Sequence, residues 1–309
     1  MAACATGGST ELRFQALWGQ WLGSRSGAGE APALQLAEEL RHEAERIGDP
    51  AAKVQAGYAL GNNLFFLGQL EAAGHALRAA AEAGEQLPPG PLLARFGEHG
   101  GIAARAMLSW PLALQGRVEE AQIQATQALA QARVLDHAQT LAFALTMAAV
   151  MHRHLRQPGP AMPLCQELLA LADKHGLALW QAVGALVLGW VQAEGGDPAG
   201  LLPIRQAVAA SAVAMPSTEP TFLSFLIEAL QRLGQHQEAL PLVDEAMVKA
   251  RERQELYLLP ELWRMQALAL KANGAPAPVV RAALDQALAA AGEMGAKLLW
   301  QRSAAQQQD

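Results

Sequence analysis

The sequence predicts an all-α solenoid, a single stack of antiparallel helix pairs, and three observations carry that prediction. Alanine and leucine dominate a chain of 309 residues that is 51% apolar but only 5% aromatic, a composition that favours helix and leaves little material for a sheet. Short turns containing glycine recur at Gly68, Gly116, Gly159, Gly196, Gly234 and Gly274, a period of about forty residues that marks a repeat architecture. Small residues then follow most of these turns at matching offsets, as Ala73 and Ala80, Ala121 and Ala128, Ala239 and Ala246. Two antiparallel helices approach closely only where side chains are small, with larger leucines filling the space between.

Taken in chain order, the pattern predicts about seven pairs. Their first helices fall near residues 10–24, 51–67, 92–115, 138–156, 177–194, 219–233 and 256–273. Breakers stand where pairs should meet, at Gly48-Asp49-Pro50, Pro88-Pro89-Gly90-Pro91 and Met215-Pro216-Ser217-Thr218-Glu219-Pro220. None is a long linker, so residues 11–300 are expected to form one continuous domain, each repeat burying its apolar face on its neighbours. Residues 1–10 are expected to be disordered and 301–309 to be a polar tail.

In the block from Ala59 to Ala73, the Leu60-Gly61 pair, Gly68 and Ala73 match the tetratricopeptide pattern, and Leu188-Gly189 followed by Gly196 repeats its first half. The fold this implies is a right-handed superhelix. Trp18-Gly19-Gln20-Trp21, Ala37-Glu38-Glu39-Leu40, Leu141 to Leu145, Leu179-Trp180, Gly189-Trp190 and Leu259-Pro260-Glu261-Leu262 extend the likeness over nearly the whole chain. In this order they resemble the C-terminal repeat region of large bacterial signalling proteins, which join a cyclase or winged-helix domain to a STAND-type ATPase. The resemblance implies a regulatory module that binds a partner or ligand. Where that family tends to have Gly-Gln-Asp-Pro-Gly-Val after an aromatic residue, this chain has Phe96 and then Gly97-Glu98-His99-Gly100-Gly101-Ile102.

Several function classes are disfavoured. A net charge of −6 with scattered lysines and arginines argues against nucleic-acid partners. There is no Gly-Lys pair, hence no phosphate loop, and no His-Glu-x-x-His helix. His152 and His154 are two positions apart and sit about 200° apart on a helix, so they cannot share a metal ion. The only cysteines, Cys4 and Cys165, make no disulfide framework, and the chain reads as cytoplasmic. Its apolar stretches are too short for a membrane span. No catalytic constellation, metal or cofactor is expected.

The candidate functional residues are those expected on the concave wall, which the first helix of each pair should line: Asn62, Trp110, Arg153, Trp190, Glu228, Arg264 and Lys271. Tryptophan and arginine are favoured where binding energy concentrates. For Trp110 and Trp190 a second reading is open, packing between repeats. On the first helix, Phe14, Leu17, Trp18 and Trp21 belong to an apolar girdle too wide for one neighbouring helix to cover. It is expected to meet a protein partner or a second copy of the chain, unless an N-terminal segment folds back over it. The concave face is expected to take a peptide or small ligand. An enzyme with a pocket around Trp110, His152 and Trp190 is the alternative from another class, and a fragment of a larger signalling protein a third.

Overall fold

A computed structural model describes residues 3–24, 29–214 and 216–308, with side chains from residue 11 onward except that of residue 214. Among the described residues the chain is all-helical, without strands. Its α-helices are α1 (Ala3–Ser24), α2 (Glu30–Ile47), α3 (Pro50–Phe66), α4 (Leu70–Glu85), α5 (Pro89–Phe96), α6 (Gly100–Leu114), α7 (Val118–Leu135) and α8 (Ala138–His154). They continue as α9 (Pro158–His175), α10 (Ala178–Glu194), α11 (Leu201–Ala214), α12 (Glu219–Arg232), α13 (His236–Arg253), α14 (Leu259–Ala272), α15 (Ala277–Glu293) and α16 (Lys297–Gln308). Consecutive helices pack on one another, as the sequence pattern predicts, except at the short α5: there α4 packs directly on α6, and α5 lies against α1.

The turns explain the pairing. After α3, Gly68 takes the left-handed conformation, its N–H donates to the Phe65 carbonyl, and the next N–H, of Gln69, reaches back to Leu64. This arrangement satisfies carbonyls that the helix end would otherwise orphan. The same pair of bonds recurs at Gly116, Gly196, Gly234 and Gly274. After α8 the left-handed residue is Arg156 instead, and Gly159 lies inside α9. The small residues that follow the turns, Ala73, Ala80, Ala121, Ala128, Ala239 and Ala246, are all buried at the crossings.

An especially close approach joins α10 to the turn before α11. A Cβ on Gly189 would lie 2.5 Å from the Gly200 carbonyl oxygen.

Three boundaries differ from the sequence reading. The stretch expected as one helix over 92–115 is broken by Gly97, left-handed at the end of α5, and His99 then caps α6. α1 begins at Ala3, within the segment expected to be disordered, and residues 301–308 are the end of α16 rather than a tail. Met1, the breaker residue Met215 and Asp309 lie outside the described residues, as does the side chain of Cys4.

Helices α3, α6, α8, α10, α12 and α14 pack side by side as an inner layer, with α2, α4, α7, α9, α11, α13 and α15 outside it. The two ends of this array meet. Phe65 and Phe66 of α3 pack on Tyr257, in the 3₁₀ turn Leu256–Leu258, with ring centroids 4.5 and 5.6 Å apart. The Ala31 N–H donates to Gln254 Oε1 at 3.1 Å, and Arg302 of α16 donates to the His154 carbonyl of α8. Enclosure follows: every residue of α6 is buried.

Replacing Gly189 with Ala, or Ala239 with Leu, is expected to overpack a crossing and cost about 1–3 kcal/mol each in urea unfolding. Gly74→Ala has open space around the new methyl and is expected to raise stability by about 0.5–1 kcal/mol.

Candidate functional site

Where the ends meet, the concave side narrows to a partly enclosed lumen, with Leu22 and Leu179 exposed at its mouth. It holds a cavity of about 400 Å³, within the range of small-molecule sites. Several inner helices contribute to it, with much of the polar lining near helix starts and most of the apolar lining further along. The starts supply His99 before α6, Gln139 and Thr140 of α8, and Thr218 before α12. Deeper along the inner helices lie Trp110, Met147, Val150, Leu186 and Phe225, with Phe66 at the end of α3.

One wall is an aromatic ladder. Tyr58 meets Phe143 edge-to-face at 6.1 Å, and Phe143 meets Trp180 likewise at 6.1 Å. The Trp180 indole N–H donates to Gln139 Oε1 at 2.8 Å, and that of Trp110 to the Met147 carbonyl at 2.8 Å. Their polar edges are thus satisfied, leaving ring surface for the cavity. Thr146 also lines the space, and its buried hydroxyl has no hydrogen-bond partner among the described residues.

At the start of α6, the His99 Nδ1 accepts the Ile102 N–H at 3.2 Å. Burial holds this imidazole below its ordinary pKa, in its neutral form.

Beneath the apolar floor lies a network of charges. Arg153 stacks over the Phe225 ring at 3.8 Å and pairs with Glu228 at 2.8 Å, while its Nη2 donates to Ser224 Oγ at 3.0 Å. Arg156 reaches both Glu228, at 3.4 Å, and Glu261, at 3.2 Å. This accounts for a non-glycine residue at a left-handed turn: the strained backbone aims the guanidinium across three inner helices. Arg264 pairs with Glu261 at 2.7 Å, and Arg302 approaches it at 3.9 Å. Burial alone would raise both carboxyls, but Arg153 and Arg156 hold Glu228 below its ordinary range, and Arg264 with Arg302 holds Glu261 well below it. His154, whose ring packs edge-on against Trp110 at 5.3 Å, is pushed down to about 3 by burial and by Arg153 and Arg302.

Of the seven residues expected on the concave wall, Trp110 lines the large cavity. Arg153 and Glu228 line a second space of about 20 Å³ beside it and are spent on each other. Arg264 is buried in the same charge network. Trp190 is fully buried and does not line this cavity. Asn62 is buried away from the cavity, and the next residue, Asn63, makes the inter-helix bonds, accepting from Trp21 Nε1 and donating to Glu30, both at 2.7 Å. Lys271 is exposed near the end of α14.

The pocket imagined around Trp110, His152 and Trp190 is not assembled. His152 bonds instead to Gln157 at 2.9 Å.

Phe14, Leu17, Trp18 and Trp21 are buried within the chain, which corrects the expectation of a free apolar girdle. The cover is α5 together with α3: Phe14 and Trp18 pack on Phe96, the Trp18 indole N–H donates to the Phe96 carbonyl at 3.3 Å, and Trp21 packs on Tyr58. Reading α5 as part of a longer helix hid this contact. Leu12 and Leu22, also on α1, are exposed, Leu22 at the cavity.

Sequence reasoning missed Tyr58, Phe143, Trp180, Phe222 and Phe225. Their signal was aromatic residues recurring on successive first helices. Among the described residues no His, Cys, Asp and Glu group could hold a metal ion, and no helix is long and apolar enough to cross a membrane. No model of a known protein family matches the chain, and no curated protein matches it.

Arg153→Ala leaves Glu228 buried with its main partner gone and is expected to cost about 3–5 kcal/mol in chemical unfolding. His154 is neutral in the fold but gains a proton in the unfolded chain below about pH 6.5. Its contribution is therefore complete above that pH and drains away as the pH falls toward 3. At pH 5 it amounts to a loss of about 2 kcal/mol, so His154→Phe is expected to flatten the fall in melting temperature between about pH 7 and pH 5.

Proposed function

We propose that the chain is a non-enzymatic sensor module whose lumen takes a small, largely apolar ligand. The observation that carries this reading is the cavity of about 400 Å³ between the inner helices, walled by aromatic rings and edged by polar helix starts. The space spans the inner helices α3, α6, α8, α10 and α12, and on one side it is bounded by Phe66, which packs on Tyr257 where the array's two ends meet.

The finer architecture we propose is a right-handed tetratricopeptide-like superhelix of seven helix pairs, with α5 and α16 as additions. Its likeness to the repeat end of STAND-type signalling proteins supports a regulatory output, through a partner protein attached to or recruited by the array. A cytoplasmic setting suits the free Cys165, whose buried thiol is pushed up to about 12 and so kept unreactive.

The route from ligand to output runs through shared side chains. Phe225 faces the cavity and carries Arg153 on its ring, and Arg153 belongs to the charge network that reaches α14 and α16. A ligand that shifts Phe225 changes the packing of the C-terminal helices, and a solenoid turns such local shifts into curvature.

Titration with the neutral fluorophore N-phenyl-1-naphthylamine tests the reading. One molecule is expected to bind per chain, and Val183→Phe, which fills the cavity, is expected to weaken binding about tenfold or more while the variant stays folded. Equal binding by the folded variant and the parent chain would place the probe elsewhere and contradict the proposal.

A further inference from the structure

His99 is placed unlike any other polar residue of the lumen. It is 5% exposed, sits at the start of α6 and borders the cavity. Its Nδ1 is committed as the acceptor that caps the helix, taking the Ile102 N–H at 3.2 Å. A ring nitrogen that accepts a hydrogen bond carries no proton, so in the neutral imidazole the proton resides on Nε2. That N–H meets no acceptor among the described residues and stays accessible, so it is free to donate to a bound molecule.

The rest of the lining narrows what could supply the acceptor. Among the described lining residues there is no lysine or arginine to neutralise an anionic ligand, and the acidic side chain of Glu98 lies next to His99 at the same edge. The walls beyond are ring faces and aliphatic groups. Such a surface rewards an uncharged, ring-bearing body, and the unpaired imidazole N–H at its polar edge rewards a well-placed oxygen.

We infer that the lumen ligand is an uncharged, ring-bearing molecule with a carbonyl-type oxygen that accepts the Nε2–H of His99. The inference rests on the lumen being the ligand site. His99 is then a specificity residue with two tasks: one nitrogen holds α6 in place and the other reads the ligand. The break between α5 and α6, made by the left-handed Gly97, brings the imidazole to the cavity edge, where it also borders a second space between α4, α6 and α7.

The test uses the full chain and three probes of one shape: 2-acetylnaphthalene, 2-isopropenylnaphthalene, which replaces the carbonyl oxygen with a methylene, and 2-naphthoate. Equilibrium dialysis at about pH 7.5 is expected to show the ketone binding about 2- to 12-fold tighter than the alkene, the worth of one net hydrogen bond, with the anion weakest. His99→Asn retains a side-chain oxygen suited to the helix cap but removes the Nε2 donor. It is expected to abolish the ketone's advantage over the alkene.

A second readout needs no substitution. The His99 Nε2 resonance in a ¹⁵N spectrum of the parent chain is expected to move with the ketone and stay in place with the alkene. Equal binding of ketone and alkene to the parent chain, tightest binding by naphthoate, or an unmoved His99 resonance would overturn the ligand class while leaving lumen binding intact. Failure of all three probes to bind would overturn the lumen site itself and this inference with it.

Discussion

The contact on which the rest of the structure depends is the meeting of α3 with the 3₁₀ turn before α14, where Phe65 and Phe66 pack on Tyr257. A helical array that stays open shows its concave face to water and must make that face polar. Here the first inner helix touches the turn that leads into the last, so much of the inner layer is buried and its composition follows. α6 has no exposed residue, and α12 buries Phe222, Leu223, Phe225, Leu226 and Ile227 in succession. The space left between rings too large to interdigitate fully is the cavity.

Closure also explains why so many charges lie inside. Arg153, Glu228, Glu261 and Arg264 would be ordinary concave-surface residues in an open array. With the ends joined they are desolvated together, and they persist because each finds an opposite charge. Their gain is geometric: they tie α8 to α12, α14 and α16 just behind the cavity floor. The ring of Phe225 separates them from the lumen and touches both.

Much of this was legible in the sequence, and the limits have physical causes. Helix positions could be read because glycine at a left-handed turn and alanine at a crossing are local requirements, visible at Gly68 with Ala73 and at Gly234 with Ala239. Closure could not, because Phe65 and Tyr257 are far apart in the chain and nothing local marks their contact. With closure hidden, Arg153 and Glu228 read as a binding wall when they are each other's partners. Asn62 was chosen where Asn63 makes the contacts, a difference of one residue and about 100° on a helix. The girdle of α1 looked unpaired because Gly97 was not recognised as the end of α5, the helix that covers it.

The central claim, that the array closes on itself around a lumen, is tested most directly by small-angle X-ray scattering of the monomeric chain. Closure gives a compact particle, with a radius of gyration of about 19 Å for a chain of this length. A distinctly larger radius, with a pair-distance distribution drawn out into a long tail, would mean that the ends stand apart and that the lumen is an open groove.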